Sequence, residues 1–527
     1  MKHISSVLLL AALTACGGGG GDASGTSPAP TPTQPPSSGG PIAFTPARID
    51  VKMTEGEDPE ITLLAEATHD LPGKVNVAIV DTVGVFSSEM SIRAWNTHSY
   101  SAYLHTAKGL GAGIHEGTLT VKLCQDDAKI CAQPHAGSPI ALPYRVEVKS
   151  FGGTLSALAP DPAAAEWLTD KGDLRRTGYV NTSVNVSRLG PRFSWTAPDG
   201  SAAVVPVIQA GIAYVTTKKG MYAIDEQSGA TRWRYTPANA SSLTGVSRPA
   251  VSGTRVYASF DYNQYTNLDS VDSATGTFVR TLPSWKASMS TAPAVDGNLL
   301  VSKQDGGSLQ AVDTSGQTYS VQLRGSSQWA VSAPPVIHGS AIYTYTGGGL
   351  YVLNRGNLAE IQRIEGSVAQ LDFGADAMML DDTHMAVIEN DMYGNLAAAT
   401  LTSFDIASAK IAWSVKGGFE QIAAAGKTIY AARNDRVAAI DAATGTELWS
   451  WPIPAGAPRK DDAATVYDLL ATNNVLFVAL ANSVYAVDLA TRTSVWSATV
   501  GGHLALSKNG VLYVADGKSP LRAFNVR

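Results

Sequence analysis

Short runs in which apolar and polar residues alternate recur along most of the chain and predict β-strands. In Arg436–Trp449 the alternation begins as a strand that has one apolar face. The following turn contains Gly445, which can supply the positive φ of a tight hairpin. A second strand then carries Trp449, eight residues after Asp441. One such hairpin cannot bury its apolar face alone, so the pattern predicts an internal repeat.

The repeat is found at eight places, each a pair of strands that ends on Asp or Asn. Successive positions lie 36 to 51 residues apart, which is typical of four-stranded propeller blades. The eight positions are Asp225, Asp272, Asp313, Asn354, Asp405, Asp441, Asp488 and Asn525. The sequence therefore predicts an all-β fold with an eight-bladed β-propeller in residues 191–527.

A turn Asp, a turn Gly and a Trp recur within these units. Asp can bond the turn backbone, Gly can take the left-handed conformation, and Trp can pack between blades. We interpret these residues as structural and nominate none as catalytic: Asp225, Gly229, Trp233, Asp405, Trp413, Asp441, Gly445, Trp449, Asp488 and Trp496.

The two ends of the propeller region are predicted to pair with each other. The last unit stops at Arg527 without a final strand, whereas residues 192–197 form a strand that bears Trp195 and has no unit before it. We expect this strand to complete the last blade and so remove a free sheet edge. Residues 151–190 are expected to be a linker and lead-in.

Residues 42–150 contain six or seven short alternating runs separated by turn residues, which predicts a β-sandwich that resembles immunoglobulin-like domains. Cys124 and Cys131 bracket a short polar segment, so a disulfide across a hairpin is expected, with metal binding as the weaker alternative. Four histidines in this region lack ligand spacing, and we interpret them as surface residues rather than a metal site: His98, His105, His115 and His135.

The first sixteen residues have the features of a targeting segment. Lys2 precedes a short apolar run, and residues 13–16, Leu-Thr-Ala-Cys, resemble the lipobox of bacterial lipoproteins. The resemblance implies cleavage before Cys16 and acylation of that residue, and Gly17 after it favours the outer membrane. An ordinary secretory signal is the alternative. Residues 17–41 are rich in Gly, Pro and Ser and predict an extended tether.

Composition narrows the possible functions. A chain of 527 residues is too long to fold around a single hydrophobic core, so at least two domains are expected. The net charge of -6 and the lack of a Lys/Arg run give no reason to expect nucleic acid binding. No later stretch is apolar enough to span a bilayer, so membrane attachment would depend on the lipid.

Trp167 and residues 173–178, Asp-Leu-Arg-Arg-Thr-Gly, followed by the repeats, resemble proteins with pyrroloquinoline-quinone-type (PQQ-type) repeats. The resemblance implies two possible functions. One is a PQQ-dependent alcohol or sugar dehydrogenase, which would need calcium and often has adjacent cysteines. The other is a non-catalytic lipoprotein subunit of the outer-membrane β-barrel assembly machinery. The propeller region has no Cys, and the acidic residues Glu389, Asp391, Asp461 and Asp462 match no calcium motif.

We therefore expect no enzymatic activity, no cofactor and no metal, with PQQ and calcium only under the dehydrogenase alternative. The expected protein is a monomeric, periplasm-facing, lipid-anchored scaffold that binds other envelope proteins. Partner contacts are expected in residues 261–267, 389–395 and 455–468, with the candidates Tyr262, Tyr265, Tyr393, Asp461 and Tyr467. A propeller that binds glycans through exposed Trp285 or Trp329 is a further alternative. Burial of these two side chains between blades would exclude glycan binding through them.

Overall fold

The computed structural model describes residues 42–527 except for 56, 58, 60, 69–70, 72, 74, 88–89, 96–97, 108–109, 263–264, 283–291, 298, 304–307, 314–316, 324–333, 368–375, 391–398, 434, 455–465 and 519. Cys16, the tether, Trp285, Trp329, Tyr393 and Asp461 therefore lie outside the described residues. The chain divides into two compact units, Met1–Ser150 and Phe151–Arg527. Both described units are built from β-strands, and no helix among the described residues is long and apolar enough to cross a membrane.

The first unit contains two four-stranded sheets. Their strands are β1 (Ile42–Thr45), β2 (Ile49–Thr54), β3 (Ile61–Ala67), β4 (Asn76–Val80), β5 (Ser91–Ala94), β6 (Ser99–Leu104), β7 (Gly113–Cys124) and β8 (Ile140–Lys149). One sheet has the order β1-β3-β6-β5 and the other β2-β8-β7-β4, in which β2 and β8 are parallel.

Alternating residues of both sheets meet in one apolar core. In β8, Leu142, Tyr144, Val146 and Val148 point inward, and side chains of β3 and β6 meet them from the other sheet. A cavity of about 40 Å³ remains between the sheets, and all of its described lining residues are apolar or aromatic. We interpret it as a packing defect of the core, because a water molecule needs polar partners and the described lining is apolar.

The predicted disulfide between Cys124 and Cys131 is present. It ties the end of β7 to the following turn, where the Asp126 carboxylate accepts from the N–H groups of Ala132 and Gln133. Contrary to the sequence prediction, His135 in this turn is buried rather than at the surface. The bonds of the turn explain this, because the His135 N–H donates to the Leu123 carbonyl and draws the residue against the sheet.

The second unit contains eight described sheets. The first four consist of β10 (Val207–Gln209), β11 (Ile212–Thr217), β12 (Gly220–Asp225) and β13 (Thr231–Tyr235); β14 (Leu243–Val246), β15 (Ala250–Ser252), β16 (Arg255–Tyr262), β17 (Tyr265–Asp272) and β18 (Phe278–Leu282); β19 (Ala294–Asp296), β20 (Leu299–Lys303), β21 (Ser308–Asp313) and β22 (Thr318–Gln322); and β23 (Val336–His338), β24 (Ala341–Thr346), β25 (Gly349–Asn354) and β26 (Glu360–Glu365).

The other four sheets follow the same plan. They consist of β27 (Ala377–Met379), β28 (His384–Glu389), β29 (Thr400–Asp405) and β30 (Lys410–Lys416); β31 (Ile422–Ala425), β32 (Thr428–Ala432), β33 (Arg436–Asp441) and β34 (Glu447–Pro452); β35 (Val466–Ala471), β36 (Val475–Leu480), β37 (Val484–Asp488) and β38 (Thr493–Ala498); and β39 (His503–Leu506), β40 (Val511–Ala515), β41 (Leu521–Asn525) and β9 (Gly190–Trp195). Two short 3-10 helices, Val186–Arg188 and Ala240–Ser242, lie between strands. Many four-stranded antiparallel sheets in series are the architecture of β-propellers.

Apolar clusters join neighbouring sheets. One cluster combines Ala223 and Trp233 of the first sheet with Val256 and Phe260 of the second. The largest cluster contains Tyr222 of the first sheet together with side chains of the last. The first and last sheets therefore share a core.

The turns between the third and fourth strands are held by their Asp residues. The Asp441 carboxylate accepts from the N–H groups of Ala443 and Thr444 and from the Thr444 hydroxyl. These bonds lower the pKa of Asp441 below its ordinary value. Gly445 follows at φ 72°, and a Cβ at this position would lie 2.7 Å from the Trp413 ring of the preceding sheet. The Asp–Gly turn is thus the surface on which the aromatic wedge of the neighbouring sheet packs.

The strand β9 pairs with β41 at the outer edge of the last sheet. In this pairing Phe193 stands opposite Ala523, just as Trp233 stands opposite Ala223 in the first sheet. A Cβ at Gly229 would lie 2.8 Å from the Phe193 ring. Phe193, two residues before the expected Trp195, therefore occupies the wedge position.

Candidate functional site

Residues 167–182, which we call the threading segment, cross the first strands of most sheets of the second unit. Six of its carbonyl groups accept backbone N–H groups from six different sheets at 2.6–3.1 Å. The donors are Ile208 (to Trp167), Val251 (to Leu168), Ile337 (to Leu174), Met379 (to Arg175), Ala424 (to Thr177) and Ala471 (to Gly178). The first strand of each sheet would otherwise present an unpaired edge. The segment expected to be a linker is therefore part of the core of this unit.

The threading segment turns sharply at several residues. Lys171 and Arg176 both have φ 62°, in the left-handed region that favours glycine. Gly172 has φ 93°, and a Cβ there would lie 2.8 Å from the Trp167 ring. Left-handed conformations at two long side chains require compensating interactions, and both side chains make ion pairs.

Six charged residues form what we call the central ion-pair cluster: Asp170, Lys171, Arg176, Arg248, Asp376 and Asp468. Arg176 contacts Asp170 at 2.6 Å and Asp376 at 2.9 Å. Lys171 contacts Asp468 at 2.8 Å, and Arg248 contacts Asp170 from the second sheet. The cluster has three cations and three carboxylates, so it joins the threading segment to three sheets without net charge.

The charged state of the cluster is strongly favoured. Burial raises the pKa of Asp170, but Arg248 and Arg176 outweigh it and hold the pKa well below its usual range. Burial also raises the pKa of Asp468, but the neighbouring Lys171 outweighs this effect, so the pKa of Asp468 is lowered as well. The pKa of Lys171 is raised, since Asp468 and Asp376 outweigh the effect of burial.

Three polar residues border the cluster. Lys171 Nζ donates to Gln421 Oε1 at 3.1 Å. His503 is one-third exposed, lies 3.8 Å from Asp468 and packs edge-to-face against Tyr467. Partial burial and the neighbouring Arg248 guanidinium lower the pKa of His503, although Asp468 opposes them. A neutral imidazole is therefore expected beside the cluster at neutral pH.

The described residues of the cluster do not fit a calcium site. Hard cations need carboxylate oxygens that are free to coordinate, and each carboxylate of the cluster is already paired with Lys171, Arg176 or Arg248. Across the described parts of the chain, Cys124, Asp126 and Cys131 are the one group close enough to hold a metal, but the two sulfur atoms are bonded to each other.

Glu389, the first residue of the expected partner segment 389–395, ends β28 and is fully buried. Its carboxylate accepts from Tyr345 Oη at 2.6 Å, from the Ser367 N–H at 3.0 Å, and from the hydroxyls of Ser367 and Thr402. Hydroxyl and amide donors thus satisfy this carboxylate, which is a structural arrangement.

The expected partner residues differ in accessibility. The described residues of 261–267 lie in strands, because β16 ends at Tyr262 and β17 begins at Tyr265. Tyr262 is buried and donates its hydroxyl to the Ala238 carbonyl, whereas Tyr265 is exposed and stacks on Tyr262 at 4.7 Å. Tyr467 is half-buried against His503. Of these residues, Tyr265 is the one with a large accessible surface.

The sequence indicates that the threading segment is distinctive but does not predict its partners. Its Trp and Arg-Thr-Gly residues attract attention because they precede the first repeat. Their partners Arg248, Asp376 and Asp468 lie in unrelated sequence contexts, so spacing alone gives no signal that they converge.

The central ion-pair cluster predicts a specific pH dependence. Folding lowers the pKa of Asp468 below its ordinary value of 3.8. The ionised carboxylate therefore stabilises the fold at pH values above 3.8, and this stabilisation is lost as the pH falls from 3.8 through the pKa of the folded state. We expect Asp468→Asn to lower the free energy of unfolding by about 2 kcal/mol at pH 7, and the difference from wild type to shrink below about pH 4. Urea unfolding at pH 7 and at about pH 3 measures both quantities. A difference that does not change with pH would contradict this electrostatic role.

Two solved structures resemble the chain at low identity. The computationally designed Ika8 protein has a TM-score of 0.49 and 14% identity, and the alignment covers 62% of this chain and 96% of that chain. The dihydro-heme d1 dehydrogenase NirN, in complex with DHE, has a TM-score of 0.44 and 13% identity, with 59% of this chain and 66% of that chain covered. Comparison with curated proteins gives no match.

The family model described as "Outer membrane protein assembly factor BamB" matches residues 175–415 and 323–526. The matched region begins inside the threading segment and extends through the eight sheets. It comprises more than half of the chain and includes all eight strand pairs found in the sequence. The chain therefore belongs to the family of outer membrane protein assembly factor BamB.

Proposed function

We propose that the second unit is an eight-bladed β-propeller whose ring is closed by β9, and that the first unit is an immunoglobulin-like sandwich. Two observations support the ring: the first strands of several consecutive sheets contact one another, and the first and last sheets share an apolar cluster. Two sheets around one core support the sandwich.

The proposed function is that of a non-enzymatic scaffold that binds other proteins of the cell envelope. The observation that carries it is the family match over residues 175–526, whose description is an assembly factor of outer membrane proteins. A rigid propeller offers a large surface for such binding. The central ion-pair cluster supports the same proposal, because its buried charges neutralise one another.

Attachment to the membrane through acylated Cys16 is part of the proposal. We expect Cys16→Ser to move most of the protein from the membrane fraction to the soluble periplasmic fraction, because the chain would lose its lipid. Fractionation and immunoblotting measure this. The Cys124→Ser/Cys131→Ser variant keeps Cys16 and should remain membrane-bound. An unchanged distribution of Cys16→Ser would contradict the anchor.

The partner surface can be tested by photo-crosslinking in intact cells. A crosslinking amino acid at Tyr265 should capture a defined envelope protein, because this residue is exposed at one end of its sheet. Thr275 is exposed in the turn at the opposite end of the same sheet and is the matched control. Capture at position 275 and not at 265 would place the partner on the other face.

Dye-linked oxidation of an alcohol or sugar by the purified protein with added quinone and calcium would contradict the absence of enzymatic activity.

A further inference from the structure

The two outer faces of the first unit differ in chemistry. Alternation along the strands places one set of side chains in the core and the other outside. Outside the sheet β2-β8-β7-β4 lie seven charged residues: Asp50, Lys52, Glu116, Lys122, Arg145, Glu147 and Lys149. Arg145 contacts Glu116 at 2.6 Å across two of these strands. This surface, the charged face, has the cross-strand ion pairs of an ordinary solvated sheet.

Among its described residues, the opposite outer face has few charges and many hydroxyl groups. We call it the hydroxyl face and define it by Ala43, Thr45, Thr62, Leu64, Glu66, Ser91, Arg93, Trp95, Ser99, Ser101 and Tyr103, of which Ser101 is buried. Only Glu66 and Arg93 among these are charged. The cross-strand register places Leu64, Ser101 and Arg93 in one row, with Tyr103 in the next row of the same face.

Trp95 is exposed on this face but held in one orientation. Its indole Nε1 donates to Ser101 Oγ at 2.8 Å, and the Arg93 guanidinium lies 4.0 Å from its ring centroid. The Trp95 N–H also donates to the Ser99 carbonyl. Even so, Trp95 is 55% exposed and Leu64 is 47% exposed. An immobilised aromatic ring that remains in solvent is typical of a binding surface, because little side-chain entropy remains to be lost on binding.

We propose that the hydroxyl face binds a neutral polysaccharide strand. The C–H faces of sugar rings stack on exposed aromatic rings, and sugar hydroxyls exchange hydrogen bonds with Ser, Thr and Tyr hydroxyls. The low charge of the face matches an uncharged ligand, whereas the charged face of the same unit would oppose one because binding would remove its charged groups from water. This inference depends on the geometry of the first unit and not on the scaffold function proposed for the second.

The test is titration of the purified full chain with two uncharged probes, chitohexaose and cellohexaose, followed by tryptophan fluorescence and calorimetry. We expect saturable binding of at least one probe. Binding of chitohexaose alone would show recognition of N-acetyl groups, and binding of both would show that ring stacking dominates. Trp95→Ala should weaken binding at least about tenfold, and Trp95→Phe should recover part of the loss because it retains an aromatic ring.

Ile114→Ala provides the matched control, since Ile114 is 57% exposed on the charged face. Its binding should equal that of the wild type. Circular dichroism and the melting temperature of Trp95→Ala show whether the fold is retained. The proposal is overturned if neither probe gives saturable binding, or if Trp95→Ala binds as tightly as the wild type in a folded state.

Discussion

Replacing Arg176 by methionine should lower the free energy of unfolding of the second unit by about 3–5 kcal/mol. Arg176 is 4% exposed, and its guanidinium contacts Asp170, Asp376 and the Ala377 carbonyl. Methionine retains the aliphatic part of the side chain but leaves the 3.6 Å contact to Lys171 as the remaining ion pair of Asp376. Loss of a single partner from a buried ion pair is costly because the remaining charge stays desolvated. Urea unfolding followed by circular dichroism and tryptophan fluorescence measures the effect.

The adjacent Arg175 provides a control within the same segment. Arg175 pairs with Asp382, which is 80% exposed, so Arg175→Met should cost less than about 1 kcal/mol. The two variants lose the same charge from neighbouring positions and differ in burial. Equal effects of Arg175→Met and Arg176→Met would show that the charge of the segment, and not the buried cluster, determines stability.

The repeats of the second unit could be predicted from the sequence because each is a local pattern. Asp441, Gly445 and Trp449 lie within nine residues, and the turn they form is specified by short-range hydrogen bonds and by φ at one glycine. Strand alternation likewise depends only on neighbouring residues. Such features are visible in a single sequence.

The central ion-pair cluster could not be predicted, since its members come from four separate parts of the chain. Lys171 and Asp468 are 297 residues apart, and Arg176 and Asp376 are 200 residues apart. No periodicity relates them. Their meeting depends on the path of the threading segment, which has no regular strand of its own and is fixed by the free edges of the sheets it crosses.

The expected Trp195 wedge shows how a register error arises. The sequence contains a Trp in the correct strand, but the pairing of β9 with β41 is set by backbone hydrogen bonds and a bulge between Ala523 and Phe524. Side chains two residues apart in a strand lie on the same face. Phe193 and Trp195 therefore both point inward and differ only in their position along β9. Trp195 is still buried and donates to Thr231 Oγ1, so it packs beside the wedge position that Phe193 fills.

Replacing Arg192 by methionine should lower the free energy of unfolding by about 3 kcal/mol. Arg192 lies in β9 and is 1% exposed. Its guanidinium donates at 2.8–2.9 Å to four acceptors from both ends of the unit: the carbonyls of Ser156, Glu226 and Gln227 and the Asn525 side chain. Methionine would leave these acceptors without their donor in a site from which water is excluded.

The strands in which Arg192→Met loses protection from hydrogen exchange distinguish a role in ring closure from general destabilisation. Because Arg192 connects β9 and β41 to the turn after β12, hydrogen exchange in Arg192→Met should accelerate first in β9, β41 and β12. Amides of β33 and β37, in the sixth and seventh sheets, should retain their protection until global unfolding. Arg188→Met, an exposed change four residues earlier, should leave both stability and exchange unaltered. If exchange accelerates uniformly in all eight sheets, Arg192 supports the unit as a whole and does not secure its closure.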